Sequence, residues 1–241
     1  MIKRVDDEMM INTGSIIRVK YKRLRTFFVL ASCIVMTACA SKTTKEEEFS
    51  GFLSDYSQLE KSVSIDETPV RKWISPELKE HNYTKIMLDP VVIYPAPQPT
   101  PQLSSEVLTS IRTYLNQELR HEIGKNYEIV DEPAEDVIRL RTAITGVKTT
   151  PEDLAVYEYI PVGLVLAGVS TATGSRDEMV QIYVEAELSD SLSGEKLAAG
   201  VKKGFGETIE GSDDQVELDN AIPVLNGWVQ SSLGFLNTTV K

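Results

Sequence analysis

Residues 179–189 alternate without a break. Val180, Ile182, Val184, Ala186 and Leu188 fall on one side, and Gln181, Tyr183, Glu185 and Glu187 on the other. Successive side chains of a strand point to opposite faces, so the pattern demands a sheet with one apolar and one polar face. Residues 190–195, which include Gly194, then reverse the chain, and Leu197, Ala199, Val201 and Phe205 return at the same period of two. Two alternating runs joined by a glycine-containing loop read as a β-hairpin. A half-apolar sheet must be covered, and the rest of the chain has to supply the cover.

Two amphipathic stretches can do so. Leu108, Ile111, Leu115 and Leu119 recur at helical spacing, with Ser104 and Ser105 as cap candidates and Gly124 as a stop. A second helix is predicted over 216–236, with Leu218, Ile222, Leu225, Val229 and Leu236 as its buried stripe and Pro223 as an internal blemish. Further strands are predicted at 85–94, ended by the proline-rich 95–101, and at 127–130 and 137–147. The expected fold class is therefore α+β: a two-layer sandwich of a mostly antiparallel sheet with two helices packed on one face.

The N-terminal region follows a different logic. Arg18, Lys20, Lys22, Arg23 and Arg25 precede an apolar run over 26–38, too short for a membrane span, which needs about 20 residues. A basic flank, a short apolar core and small residues before a cut site form a secretory signal. The run ends in Met36-Thr37-Ala38-Cys39, which resembles the bacterial lipobox, the motif whose cysteine thiol is acylated before cleavage. Leu30-Ala31-Ser32-Cys33 matches by residue type but leaves only residues 26–32 as the core, and it would put Ile34, Val35 and Met36 at the head of the mature chain. Cys39 is therefore the expected lipid-attachment residue. Asp6, Asp7 and Glu8 are foreign to a signal, so translation is expected to start at Met9 or Met10. By its resemblance to enteric lipoproteins, Ala40 rather than aspartate after the cysteine implies transfer to the outer membrane. The expected division is a cleaved signal peptide over 1–38, an acylated polar tether over 39–49, and one α+β domain over 50–241.

Four segments then carry a family resemblance in order. They are Ser50-Gly51-Phe52-Leu53-Ser54-Asp55-Tyr56, the stretch 83–91 from Tyr83 to Val91, Asp136-Val137-Ile138-Arg139-Leu140-Arg141 with Ala143-Ile144-Thr145, and the stretch 187–195 from Glu187 to Glu195. Together they resemble the bacterial lipoproteins grouped as domain of unknown function 3313. The resemblance covers most of 50–206 and implies a fold and a lipoprotein identity, with no activity attached.

Charge and composition exclude several classes. The whole chain carries −11. Residues 1–38 hold seven basic and three acidic residues, so removing that +4 leaves the mature protein near −15. Such a surface opposes nucleic-acid binding and electrostatic docking on anionic headgroups. The membrane partner must then be reached through the acyl chains on Cys39. Both cysteines lie at 33 and 39, so the domain has no disulfide, thiolate metal site or cysteine nucleophile.

His81 and His121 stand in separate elements, and Gly168–Arg176 has the wrong spacing and no lysine for a phosphate loop. Asp89 and Asp136 are the two carboxylates to watch, each with a structural role available as a turn or strand-end residue, and Asp190 is expected to fix the hairpin turn. No cofactor or metal site is expected. The apolar, glycine-spaced 157–174 reads first as a buried crossing, then as a docking patch, then as a membrane-contacting insert. These features point to a non-enzymatic, outer-membrane-anchored, periplasm-facing binding or assembly module, with an envelope protein or a second copy as partner. The alternatives are an envelope hydrolase with an unrecognised carboxylate site, or an oligomeric channel component using 157–174.

Overall fold

A computed structural model describes residues 43–151, 177–210 and 214–240. The leader, Cys33, Cys39, the 157–174 segment and the 168–176 loop lie outside the described residues. Among the described residues eight strands form one sheet: β1 (Glu60–Val63), β2 (Pro69–Ile74), β3 (Lys85–Leu88), β4 (Val92–Ile93), β5 (Glu128–Val130), β6 (Val137–Pro151), β7 (Glu178–Asp190) and β8 (Lys196–Ile209). Their order is β1-β2-β8-β7-β6-β3-β5, with β4 also paired to β6. Helices α1 (Ser105–Gly124) and α2 (Leu218–Thr239) share one core with the sheet, containing Ile111, Leu115, Ile138, Ile144, Ile182 and Leu225. The α+β arrangement expected from the alternation is the one found.

Several elements differ in detail from the sequence reading. The single strand expected over 85–94 is two short ones, because Pro90 has no N–H to give a ladder and the chain steps aside at Asp89-Pro90-Val91. β3 pairs in parallel with both β5 and β6, and β4 in parallel with β6. A parallel pair needs a crossover, and α1 supplies it between β3 and β5. β1 and β2 gave no alternation to read, since Glu60-Lys61-Ser62-Val63 is an exposed edge and Arg71 and Lys72 interrupt the apolar residues of β2. Charged residues on an edge strand are a common guard against edge-to-edge pairing.

The hairpin β7–β8 is antiparallel as expected, but the register shifts between Leu188 and Ser189. Leu188 faces Ala198 while Ser189 faces Lys196, so Leu197 is the extra residue. It joins the helix-side core, while Ala199 and Val201 turn to the opposite face beside Leu53, Leu59 and Trp73. One bulge thus splits a run of apolar residues that looked like a single face.

α1 begins as its serines foretell: Ser104 accepts a hydrogen bond from the Val107 amide at 3.2 Å, satisfying one orphan donor of the first turn. In α2 the buried stripe is Ala221, Val224, Leu225, Trp228, Val229 and Leu236, with Leu218 and Ile222 only partly covered. The first half of this helix lies hard against β8. A Cβ at Gly206 would stand 2.0 Å from the Asn220 carbonyl oxygen, and one at Gly204 would stand 2.3 Å from Val224 Cγ2. Only glycine allows that approach.

The second sheet face is also covered. Thr44 is buried at 1% exposure and Glu48 at 9%, so residues 44–49, whose polar composition reads as the end of a tether, lie on the domain. With Phe52, Leu53 and Tyr56 they form a strap over the polar side of β7 and β8. The physical reason is that the sheet side is polar too: a charged segment can bury itself where hydrogen-bond partners wait.

Candidate functional site

The strap face is held by paired polar groups. Tyr183 donates its hydroxyl to Glu48 Oε1 at 2.8 Å and has Gln181 Oε1 at 3.1 Å. Lys203 Nζ lies 3.4 Å from Glu48 Oε2, and Lys148 Nζ sits 5.3 Å from the Tyr183 ring centre. Burial pushes the Tyr183 phenol well above its ordinary range, and the Glu48 carboxylate pushes it the same way. Further along, Tyr56 donates to Glu185 Oε2 at 2.5 Å while accepting from the amides of Gly51 and Leu53. Burial first, then the Glu185 hydrogen bond, pushes the Tyr56 phenol up to about 12. Phe49 stacks on Tyr56 at 4.5 Å between ring centres. The contacts of Glu48, Phe49 and Tyr56 fasten the strap, so the cluster is an anchor for chain rather than an open site.

The carboxylates singled out from the sequence are each engaged, and they are not brought together. Asp89 takes a bidentate fork from Arg139 at 2.9 and 2.8 Å. Asp136 accepts from Thr84 Oγ1 at 2.7 Å and pairs with Lys85 at 3.2 Å, which holds it below the usual carboxylate range. Asp190 accepts from the amides of Leu192 and Ser193 and from the Tyr83 hydroxyl, closing the hairpin turn. Two acids do meet at Glu77 and Glu195, where the Glu77 carboxyl raises Glu195, but Glu195 is fully solvated. His81 lies beside Tyr83 and His121 beside Glu122. Among the described residues there is no group of three or more histidines, cysteines or acids placed to hold a metal. No described helix is long and apolar enough to cross a membrane.

On the helix face, the second half of α2 departs from β8 and leaves a cavity of about 370 Å³. Its floor is made of small residues, Ala186, Ala198 and Gly200, and its α2 wall of Trp228, Phe235 and Leu236. Small-molecule pockets fall mostly between about 300 and 1,000 Å³ and are chiefly apolar with a few placed polar groups. Val63 and Ile65 stand at its rim with 58% and 56% of their surface exposed. Ile65 also leans on α2, since a Cβ at Gly234 would meet its Cγ2 at 2.8 Å.

Two lysines belong to this cavity. Lys202 is buried, and its Nζ reaches Ser64 Oγ at 3.1 Å, Asp66 Oδ2 at 2.9 Å and Ser231 Oγ at 3.2 Å. Burial pulls its pKa down, against the opposing charge of Asp66. Burial would raise Asp66, but hydrogen bonds from Ser64, Thr68 and Lys202 outweigh it and hold the carboxyl well below its usual range. This pair pins the β1–β2 loop beside the cavity. Lys72, half-buried, gives its Nζ to the Val63 carbonyl at 3.0 Å and forms no ion pair among the described residues. The sequence carried no motif for this pocket. Trp228, outside the expected stripe, was its one legible sign: the largest aromatic side chain on a helix whose expected stripe held only leucine, isoleucine and valine.

Fold and site together define an α+β sandwich domain with a strap on one sheet face and an apolar pocket under the last helix. The chain matches the family described as "Protein of unknown function (DUF3313)" over residues 48–232, and it belongs to that family. It is 33% identical over 197 residues to the uncharacterized lipoprotein YdcL of two Escherichia coli strains, covering 82% of this chain and 89% of the relative. Among solved structures it aligns with the PelC dodecamer of Paraburkholderia phytofirmans at 17% identity, 68% of this chain, 95% of that chain and a TM-score of 0.33. It also aligns with lipoprotein GNA1162 of Neisseria meningitidis at 14% identity, 64% of this chain, 99% of that chain and a TM-score of 0.25.

Proposed function

We propose that the protein is a binding module, not an enzyme, anchored to the outer membrane through acyl chains on Cys39 and facing the periplasm. The observation that carries the binding reading is the cavity under α2, a preformed apolar space with few polar groups at its rim. The lipobox-like Met36-Thr37-Ala38-Cys39 and the lipoprotein relative support the anchor, and Ala40 supports the outer membrane. Each buried methylene of an acyl chain contributes about 0.8 kcal/mol of membrane affinity, which an acidic protein needs in place of electrostatic attraction. With the strap on the domain, the link from Cys39 to Thr44 can span no more than about 18 Å at ~3.3–3.6 Å per residue. The domain then works close to its membrane.

Expression of the full chain in a Gram-negative host tests both halves of the proposal. Labelled palmitate should enter the wild type and not Cys39→Ala, and the wild type should travel with the outer membrane on a density gradient. Native mass spectrometry from nanodiscs should find a non-covalent apolar adduct that Ala186→Phe, filling the cavity floor, removes. Lipid on Cys39→Ala would overturn the anchor, and an adduct indifferent to Ala186→Phe would overturn the binding site.

A further inference from the structure

We infer that the cavity under α2 takes a single-chain anionic amphiphile, a long-chain fatty acid, with its alkyl chain against Trp228, Phe235 and Leu236 and its carboxylate at Lys72. This rests on the reading of the cavity as a binding site and names what it binds. The floor of Ala186, Ala198 and Gly200 spans adjacent strands and carries nothing larger than a methyl, so an alkyl chain can lie directly on it. The rim residues Val63 and Ile65 keep more than half of their surface in water, a cost that an alkyl chain lying across them would lift.

The head group follows from how the two lysines are engaged. An ammonium has three donors. Those of Lys202 are taken up by Ser64, Asp66 and Ser231, so it fixes the loop and has nothing left to offer. Lys72 spends one donor on the Val63 carbonyl. Glu60 stands opposite it in the β1–β2 ladder, yet the two form no ion pair. A cation half-withdrawn from water, lacking a carboxylate and standing at the mouth of an apolar cavity, is complementary to a carboxylate carried on an alkyl chain.

Trp228 stands in the α2 wall of the cavity and the chain's other tryptophan, Trp73, packs its ring on the opposite sheet face, so with Trp73 replaced the occupancy can be read without a label. Full-length Trp73→Phe protein in nanodiscs would be titrated with dibrominated stearic acid and with dibrominated stearyl alcohol, following quenching of Trp228. The acid should quench saturably at about tenfold lower concentration than the alcohol, the margin of one charge-assisted hydrogen bond. Lys72→Met should erase that difference while leaving the alcohol curve in place, which also shows that the variant is folded. Equal curves for acid and alcohol in the parent, or an acid curve unmoved by Lys72→Met, would overturn the fatty-acid assignment while the binding site stands. No saturable quenching by either probe would overturn both. Trp228 emission that ignores both probes and follows protein concentration would assign the cavity to a second copy, and also overturns the assignment.

Discussion

The two faces of the sheet are both buried, by opposite chemistry. On the helix side, Val180 and Ile182 of β7 are fully covered by apolar packing. On the strap side of the same strand, Tyr183 and Glu185 are covered just as completely, at 1% and 0% exposure, by groups that hydrogen-bond to them. The first face is a continuous apolar core and tolerates local imperfection, including a cavity. The second is a set of matched pairs, each of which leaves a buried polar group alone if its partner goes. Apolar burial contributes about 25 cal/mol per Å² wherever it occurs, whereas a buried hydrogen bond contributes little when made and costs much when lost. The faces should therefore fail differently.

The largest effect is expected on the helix face at Trp228, which touches both the tight and the open half of the α2 contact. Trp228→Ala should cost about 3–5 kcal/mol in urea unfolding, as truncations of large buried aromatics do. Next comes the strap face. Glu48→Ala strands Lys203 in a buried setting and leaves the Tyr183 hydroxyl with Gln181 alone, at a cost of about 3 kcal/mol. Its signature should also be local: faster hydrogen exchange at the amides of Ser50, Gly51 and Leu53, with β7 and α1 unchanged. Uniform acceleration across both faces would show that the strap and the core unfold as one unit, and would dissolve the comparison.

Within the helix face, added bulk at two points of the α2 contact, one carbon at the tight point and two at the open one, gives a finer test. Gly206→Ala places a methyl against the Asn220 carbonyl, which forces α2 away and should cost about 1–3 kcal/mol. Ala186→Val adds bulk to the cavity floor, where there is room, and should change stability by less than about 1 kcal/mol. Similar losses from the two variants would mean that the open half is as tightly packed as the closed one.

The two faces also mark how much the sequence could tell. Alternation in 179–189 assigned every side chain of β7 to its side, because a period of two allows nothing else. It could not show that the polar side is covered, since Gln181, Glu185 and Glu187 read the same whether water or a strap lies on them. The strap was hidden by its own composition: Glu46, Glu47 and Glu48 look like solvated tether, and only pairing with Lys203 and Tyr183, 135 or more residues away, buries the third of them. Long-range pairing also fixed the place of β2 beside β8, which no local pattern announced. The cavity was illegible for a related reason. A pocket is where packing stops, and its small floor residues resemble any modest strand.

The smallest effect expected is a pH dependence that separates the faces without changing any apolar contact. Tyr56 titrates at about 12 in the folded protein, above the ordinary tyrosine value of about 10, because burial and the Glu185 carboxylate both oppose its ionisation. A raised acid favours folding while it stays protonated. Its contribution is therefore complete below about pH 10, declines between 10 and 12, and is absent above. Melting temperatures across that window should fall more steeply in wild type than in Tyr56→Phe, which keeps the ring stacked on Phe49 but has no proton to lose. The Tyr183 and Tyr83 phenols, also raised by burial, set the slope that remains. Because Tyr56 is only partly buried, solvent screens its share, and the difference between the two curves should be modest. Parallel curves would mean that Glu185 leaves the phenol when the strap is in water. The strap face would then be held by Glu48, by Arg71 on the Thr44 carbonyl and by apolar packing and stacking.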